Sequence, residues 1–122
     1  MAKILVAEDE KHIGEMIVFK LTNAGHHVVR AFDGEQALAM ADTEAPDLIL
    51  LDAMMPVLSG FEVLRRLKAG ASARQVPVIM VTAKSQERDV VEGLRDGAAD
   101  YIVKPFSLKE LAVRVEKVLG RA

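Results

Sequence analysis

The chain has 122 residues, 51% of them hydrophobic and 28% charged, a length and composition that predict one globular domain over residues 1–122. A net charge of -2 without a basic cluster argues against direct nucleic-acid binding, and the absence of cysteine excludes disulfides, thiolate catalysis and cysteine-based zinc sites. An acidic N-terminus and the lack of an apolar run near the roughly 20 residues of a membrane span predict a soluble, cytoplasmic protein without a membrane partner.

Short apolar runs alternate along the chain with segments whose apolar residues recur every three or four positions. The runs predict strands at residues 3–7, 27–31, 48–51, 78–81 and 101–103. The intervening stripes predict five helices, marked in chain order by Ile13, Ile17, Leu21 and Ala24; Ala37, Leu38 and Ala41; Phe61, Leu64 and Leu67; Val90, Val91 and Leu94; and Leu108, Leu111, Val115 and Val118. This alternation predicts an α/β fold, a doubly wound, flavodoxin-like (βα)5 sandwich whose parallel sheet has the order 2-1-3-4-5, with the second strand at an edge.

Polar residues stand where four of the predicted strands end. They are, in chain order, Glu8, Asp9 and Glu10, then Asp52, Thr82 and Lys104. In a sheet of this order, ligands bind beyond the carboxyl ends of the strands where the order reverses, here between the first and third strands. Each residue has an ordinary alternative, such as a helix cap at Asp9 or Glu10, a turn aspartate, a strand threonine or a solvated lysine. Complementary groups on four independent strand ends nevertheless favour a functional site.

The acidic residues at these strand ends point to a metal. Carboxylates that lie close together raise one another's pKa unless a cation offsets their charge. For Glu8, Asp9 and Asp52, magnesium is the best match, because it takes a few carboxylates and also accepts phosphate oxygens. Calcium would need more oxygen ligands, and zinc would need histidines at a spacing that this sequence does not offer. A hydroxyl and an ammonium beside such a metal suit phosphoryl transfer, and a carboxylate nucleophile would form an aspartyl phosphate.

A set of short motifs resembles the receiver domains of two-component response regulators. The motifs are Glu8-Asp9 after the first strand, D-x-x-M-P-x-x-x-G from Asp52 to Gly60, Thr82-Ala83, and Lys104-Pro105-Phe106. The resemblance covers residues 3–119 and is strongest to receivers that precede a winged-helix DNA-binding domain. The sequence leaves open whether the chain is a stand-alone receiver or an excised fragment.

The resemblance implies a role for each matching site residue. Asp52 is expected to accept a phosphoryl group from a sensor histidine kinase or a phosphotransfer protein. Asp9, Asp52 and the backbone carbonyl of Met54 are expected to ligate Mg²⁺, with Glu8 acting through a metal-bound water. Lys104 is expected to pair with a phosphoryl oxygen, aimed by a cis peptide bond to the following proline.

The resemblance also implies a switch. Thr82 is expected to hydrogen-bond the phosphoryl group, and its movement to let Tyr101 turn from outward to inward. This change would remodel the face of the fourth helix, fifth strand and fifth helix, which in the winged-helix subfamily supports a symmetric dimer. The candidate dimer residues are Arg88, Asp96 and Asp100 against Glu110, Arg114 and Lys117. The alternative that these charges are solvated surface stays open.

Two rival interpretations lack a required group. A flavodoxin-type protein would need a hydroxyl- and glycine-rich phosphate loop after the first strand, where this chain has EDEK. A phosphatase with an aspartate nucleophile commonly has a second acid two residues later, where this chain has Met54. A third alternative is a receiver-like interaction module that is never phosphorylated, and the intact set of Asp9, Asp52, Thr82 and Lys104 argues against it. We therefore predict a phosphoacceptor signalling domain that is not an enzyme.

Overall fold

The computed structural model describes residues 2–70, 75–83 and 97–120. In chain order, the elements within them are β1 (Lys3–Ala7), α1 (Lys11–Asn23), β2 (His27–Ala31), α2 (Gly34–Thr43), β3 (Leu48–Asp52), α3 (Gly60–Ala69), β4 (Val78–Ala83), β5 (Asp100–Lys104) and a C-terminal helix (Leu108–Val118). The fourth predicted helix, marked by Val90, Val91 and Leu94, lies outside the described residues. In the described part of the chain, every helix is too short or too polar to cross a membrane.

The five strands form one parallel sheet in the order β2-β1-β3-β4-β5, which confirms the predicted fold class and the edge position of β2. Strands β3, β4 and β5 run further than the apolar pattern predicted, to Asp52, Ala83 and Lys104. The backbone ladder continues there, with Asp52 paired to Val81 and Ala83 paired to Lys104. Since a ladder uses main-chain groups, a polar side chain does not end it. Asp52 and Lys104 are therefore held by the sheet itself.

Side chains of the central strands alternate between two apolar layers, as expected of a parallel sheet covered on both faces. One layer faces α1 and the C-terminal helix and includes Ile4, Val6, Leu48, Leu50, Ile17 and Leu111. The other faces α2 and α3 and includes Leu5, Ile49, Leu51, Ala37, Leu64 and Met80. Helices on both faces leave the carboxyl ends of the strands as the edge where polar groups can gather.

The start of α3 lies directly against the end of β3 because residue 60 is a glycine. A β-carbon on Gly60 would collide with the backbone oxygen of Asp52 and with the α-carbon of Ala53. At this contact the Gly60 N–H donates to the Ala53 carbonyl oxygen at 2.9 Å. Ser59 caps the helix by accepting the Glu62 N–H at 3.2 Å. The turn that follows Asp52 is thus fixed at both ends.

Candidate functional site

The turn after β1 carries three acidic residues in different environments. Glu8 is buried, and its N–H donates to the Ala31 carbonyl oxygen at 3.2 Å. Its Oε2 accepts the Glu10 N–H at 3.1 Å. Glu10 caps α1 by accepting the Ile13 N–H at 2.6 Å, and this bond lowers the pKa of Glu10. Asp9 is exposed, and the N-cap of α1 is Glu10, so the helix-cap alternative holds for Glu10 at this helix and not for Asp9.

Asp52 occupies the carboxyl end of β3 and is only 4% exposed. Its Oδ1 accepts the Met54 N–H at 3.2 Å, while the Met54 side chain is exposed. One carboxylate oxygen from each of Glu8, Asp9 and Asp52 lies within 4.8 Å of the others. The sheet thus brings together acids that are more than 40 residues apart in the chain.

Lys104 reaches this cluster from the end of β5. Its Nζ lies 3.3 Å from Glu8 Oε1 and 3.4 Å from Asp52 Oδ2. Partial burial opposes the charged ammonium, but the carboxylates of Asp52 and Glu8 outweigh that effect and raise the pKa of Lys104. Lys104 is therefore an ion-paired residue and not simply a solvated lysine. The Lys104–Pro105 peptide bond is cis, as the resemblance predicted.

Lys104 is the one ammonium group among the described residues that pairs with the cluster, and a single positive charge does not balance three carboxylates. Desolvation by burial raises the pKa of Asp52 to about 7, and Glu8 adds to the rise, while Lys104 and the Met54 N–H oppose it. Among the described residues, none donates a well-directed hydrogen bond to the buried Glu8 Oε1, although the Lys104 ammonium attracts it from 3.3 Å. A further cation would stabilise the ionised carboxylates of both Asp52 and Glu8.

A hard divalent cation fits this set of donors. The three acids supply carboxylate oxygens, the class of ligand that Mg²⁺ takes, and one of these oxygens, Glu8 Oε1, is buried and accepts no hydrogen bond from the described residues. A cation beside Asp52 would favour its ionised form and counter the effect of burial on its pKa. The cluster contains neither histidine nor cysteine, which would be expected of a zinc site.

Thr82 and Tyr101, the predicted switch residues, lie on the adjacent strands β4 and β5. Thr82 is 1% exposed and pairs with Val103, next to the pair formed by Ala83 and Lys104. Tyr101 is 8% exposed and belongs to the apolar layer that faces α2 and α3. In this structure Tyr101 is therefore already largely buried, whereas the expected switch begins with the ring turned outward.

Three of the candidate dimer residues pair with one another inside the chain. Arg114 Nη1 lies 3.0 and 3.1 Å from the carboxylate oxygens of Asp100, and Arg114 Nε lies 3.2 Å from Glu110 Oε2. Lys117 is exposed on the same helix. The remaining candidates, Arg88 and Asp96, lie outside the described residues. The dimer face stays a prediction.

Arg30 contacts the acidic turn, a role that the sequence did not predict. Its Nη2 donates to the carbonyl oxygens of Glu8 at 3.0 Å and Glu10 at 3.2 Å. The useful signal is strand pairing, because Arg30 is in register with Val6, two residues before Glu8. Apolar periodicity does not contain that information.

A family model described as the response regulator receiver domain matches residues 4–116. The alkaline phosphatase synthesis transcriptional regulatory protein PhoP of Bacillus subtilis (strain 168) is 46% identical over 98% of this chain and 49% of the relative. The phosphate regulon transcriptional regulatory protein PhoB of Escherichia coli (strain K12) is 46% identical over 98% of this chain and 52% of the relative. The chain thus spans about half the length of the curated relatives it matches. These matches confirm the resemblance to the receivers of winged-helix regulators.

A solved structure agrees with the sequence matches. The receiver domain of the sensor histidine kinase PA1611 from Pseudomonas aeruginosa PAO1 is 34% identical, covers 98% of both chains and superposes with a TM-score of 0.89. That receiver was solved with a magnesium ion coordinated in its active site cleft. Fold, motifs and relatives lead to one conclusion: this chain belongs to the response regulator receiver domain family of two-component signalling proteins.

Proposed function

We propose that the domain is a phosphorylation-controlled switch in which Asp52 accepts a phosphoryl group from a sensor histidine kinase or a phosphotransfer protein. The observation that carries the proposal is the environment of Asp52, a buried carboxylate that lies close to Glu8 and Asp9 and pairs with the Lys104 ammonium. A site with a nucleophile, a fixed positive charge and a cluster of metal-binding oxygens matches the requirements of phosphoryl transfer.

The transfer requires an ionised Asp52. One carboxylate oxygen forms a bond to phosphorus while the bond from phosphorus to the donor histidine nitrogen breaks, and the imidazole keeps the electron pair and takes up a proton. Lys104 lies 3.4 Å from Asp52 Oδ2, so its ammonium is positioned to attract the phosphoryl oxygens as they arrive. The Met54 N–H orients the carboxylate through its bond to Oδ1.

Mg²⁺ is the cofactor we propose for this site. Asp9, Asp52 and the carbonyl of Met54 would hold it directly, and Glu8 would hold it through a water molecule. When bound, Mg²⁺ would supply positive charge that offsets the carboxylates and the phosphoryl oxygens. The buried Glu8 Oε1, to which none of residues 2–70, 75–83 and 97–120 donates a hydrogen bond, supports this assignment.

The phosphoryl donor must dock beside the acidic cluster, and an apolar groove borders the site there. The groove has a volume of about 320 Å³, and Lys104 belongs both to its wall and to the cluster. It is otherwise lined by Ile13, Met16, Ile17, Pro105, Phe106 and Leu108. An apolar surface that adjoins the nucleophile fits a protein that delivers a phosphohistidine to Asp52.

The output of the switch is proposed to pass through Thr82 and Tyr101. Thr82 is buried on β4, which pairs with β3, and Tyr101 is buried on β5, which pairs with β4. A bond from Thr82 to a phosphoryl oxygen would therefore alter packing between β4 and β5. A few kcal/mol of differential stabilisation is enough to shift such an equilibrium between two packings. The face of β5 and the C-terminal helix would then control dimerisation or partner binding.

The proposal is tested by intact mass spectrometry after incubation with a small acyl phosphate and Mg²⁺. We expect the wild-type chain to gain the mass of one phosphoryl group, and we expect EDTA to abolish the gain. Asp52→Asn, which keeps the size of the side chain but not the nucleophile, should gain nothing.

Each outcome of this experiment discriminates. A gain that persists in Asp52→Asn would place the acceptor elsewhere. No gain in the wild type, with either the acyl phosphate or a phosphorylated histidine kinase as donor, would favour an interaction module that works without phosphorylation.

A further inference from the structure

Arg30 forms hydrogen bonds to the backbone of the acidic turn, residues 8–10, on both sides of Asp9. From β2, its Nη2 donates to the carbonyl oxygen of Glu8 at 3.0 Å and to that of Glu10 at 3.2 Å, and its Nε lies 3.4 Å from the Glu8 oxygen. The planar guanidinium suits this task, because its donors have a fixed fork geometry. One side chain thus bridges the two residues that flank an exposed metal-ligand candidate.

The guanidinium lies in a closely fitting space between α1 and β2, formed by Gly14 and Phe32, which we call its seat. It lies against Gly14 so closely that a β-carbon there would collide with Arg30 Nη2 and Cζ. The Phe32 ring covers it, with Arg30 Cζ 4.4 Å from the ring centroid. Phe32 is itself held by Gln36, whose Oε1 accepts the Phe32 N–H at 2.7 Å. Arg30 is therefore constrained on several sides and is not a freely moving surface arginine.

The acidic turn needs such a restraint. Glu8, Asp9 and Asp52 repel one another when ionised, and of the three only Asp9 is exposed and able to swing toward solvent. A turn that is free to relax in this way would have to be reordered each time a cation bound. Metal affinity depends on partners outside the ligand set that hold the ligands in place, and losing such a partner typically lowers affinity about 10- to 100-fold.

We infer that Arg30 is a positioning residue for the metal site: through the carbonyls of Glu8 and Glu10 it holds Asp9 in place and so sets the Mg²⁺ affinity of the domain. The inference rests on the proposed function, because it assumes that Glu8, Asp9 and Asp52 hold Mg²⁺. It assigns to Arg30 and Gly14 a shared role in fixing the backbone of the turn that carries Asp9.

Isothermal titration of Mg²⁺ into the metal-free chain tests the inference. Arg30→Gln removes the fork, and we expect it to raise the Kd for Mg²⁺ about 10-fold. Arg30→Lys keeps the charge but not the fork, so its Kd should also rise. Gly14→Ala keeps the arginine but fills its seat, and should weaken binding in the same way. Because Arg30 and Gly14 act as one unit, the double variant should bind little worse than either single variant.

Controls separate positioning from general loss of structure or charge. Arg66→Gln removes an equivalent positive charge from the exposed face of α3, where Arg66 pairs with Glu62 at 3.2 Å, and should leave the Kd unchanged. Urea unfolding in EDTA reports stability independently of the metal. If Arg30→Gln does not fold, Gly14→Ala decides the question.

Three results would overturn the inference: an unchanged Kd in Arg30→Gln, a wild-type Kd in Arg30→Lys, or a wild-type Kd in Gly14→Ala. The first would mean that the fork is not needed, the second that charge alone matters, and the third that the seat is irrelevant. A wild-type chain that binds no Mg²⁺ would instead contradict the proposed function, so the two failures are distinguishable.

Discussion

The pKa of Asp52 is set by the residues around it. An aspartate in water is ionised well below neutral pH, but burial and the Glu8 carboxylate raise the pKa of Asp52 from 3.8 to about 7. Lys104 and the Met54 N–H lower the pKa of Asp52, but by less than burial and Glu8 raise it. Without a metal, a pKa of about 7 places the Asp52 carboxyl between its two protonation states near neutral pH.

This pKa predicts a pH dependence of the metal-free protein. Because the folded-state pKa of Asp52 lies above its unfolded value, the folded protein keeps a proton that the unfolded chain releases. The stability from that proton is complete below pH 3.8 and is lost as the pH rises through about 7. Asp52→Asn does not titrate, so between about pH 5 and pH 8 it should gain about 2 kcal/mol in free energy of unfolding relative to the wild type.

Urea unfolding in EDTA at several pH values measures this difference. A gap between the two proteins that stays constant with pH would contradict the prediction. Saturating Mg²⁺ should stabilise the wild type more than Asp52→Asn, because ligand binding to the folded state adds to its free energy of unfolding.

The junction of β3 and α3 determines where the Asp52 side chain stands. The first turn of α3 lies against the backbone of Asp52, and the absence of a side chain at Gly60 allows the contact. The Gly60 N–H and the Ala53 carbonyl join the strand end to the helix start at 2.9 Å. The position of the Asp52 carboxylate therefore depends on the packing of α3 against β3.

Gly60→Ala should destabilise the domain. Its β-carbon would overlap the Asp52 backbone oxygen, and overpacking against a rigid backbone typically costs about 1–3 kcal/mol. Gly70→Ala, at the other end of α3, is the matched control, because the nearest atom to its β-carbon would be 3.5 Å away. Urea unfolding should show a loss for Gly60→Ala and a change below about 0.5 kcal/mol for Gly70→Ala. Equal losses would mean that helix geometry matters and the contact with β3 does not.

His26 connects parts of the molecule that are far apart in the chain. Its side chain is buried between β1, β2 and the C-terminal helix, where Nδ1 accepts the Ala2 N–H at 3.3 Å. Nε2 therefore carries the ring proton and donates it to Glu116 Oε1 at 2.8 Å. The imidazole thus links the residue before β1 and the C-terminal helix to the start of β2.

His26→Ala should lower the free energy of unfolding of the whole domain by about 3 kcal/mol, since it removes a buried ring and leaves the Ala2 N–H without its acceptor. Glu116→Gln keeps an oxygen acceptor for Nε2 and should cost less than about 1 kcal/mol. Both values come from urea unfolding. A His26→Ala protein as stable as wild type would show that the C-terminal helix docks without this contact.

Much of the architecture could be predicted from the sequence. Apolar runs and helical stripes determine which segments become strands and helices, and the parallel βαβ rule then places Asp9, Asp52, Thr82 and Lys104 at one end of the sheet. The strand order that follows is the one observed. The prediction was less accurate at strand ends, since the Ala83–Lys104 pair is held by main-chain bonds that side-chain polarity does not reveal.

The electrostatics and the supports of the site depend on contacts between residues distant in sequence. The pKa of Asp52 follows from burial and from Glu8, and the pairing of Lys104 joins residues 52 positions apart. The Arg30 bridge likewise spans 22 positions, and the seat at Gly14 exists only after α1 packs beside β2. Periodicity encodes which way a side chain faces, and this suffices to assign the fold and the candidate residues. Distances, desolvation and fixed donors arise only when separate elements pack together, and they are what distinguish the buried, ion-paired carboxylate of Asp52 from a surface aspartate.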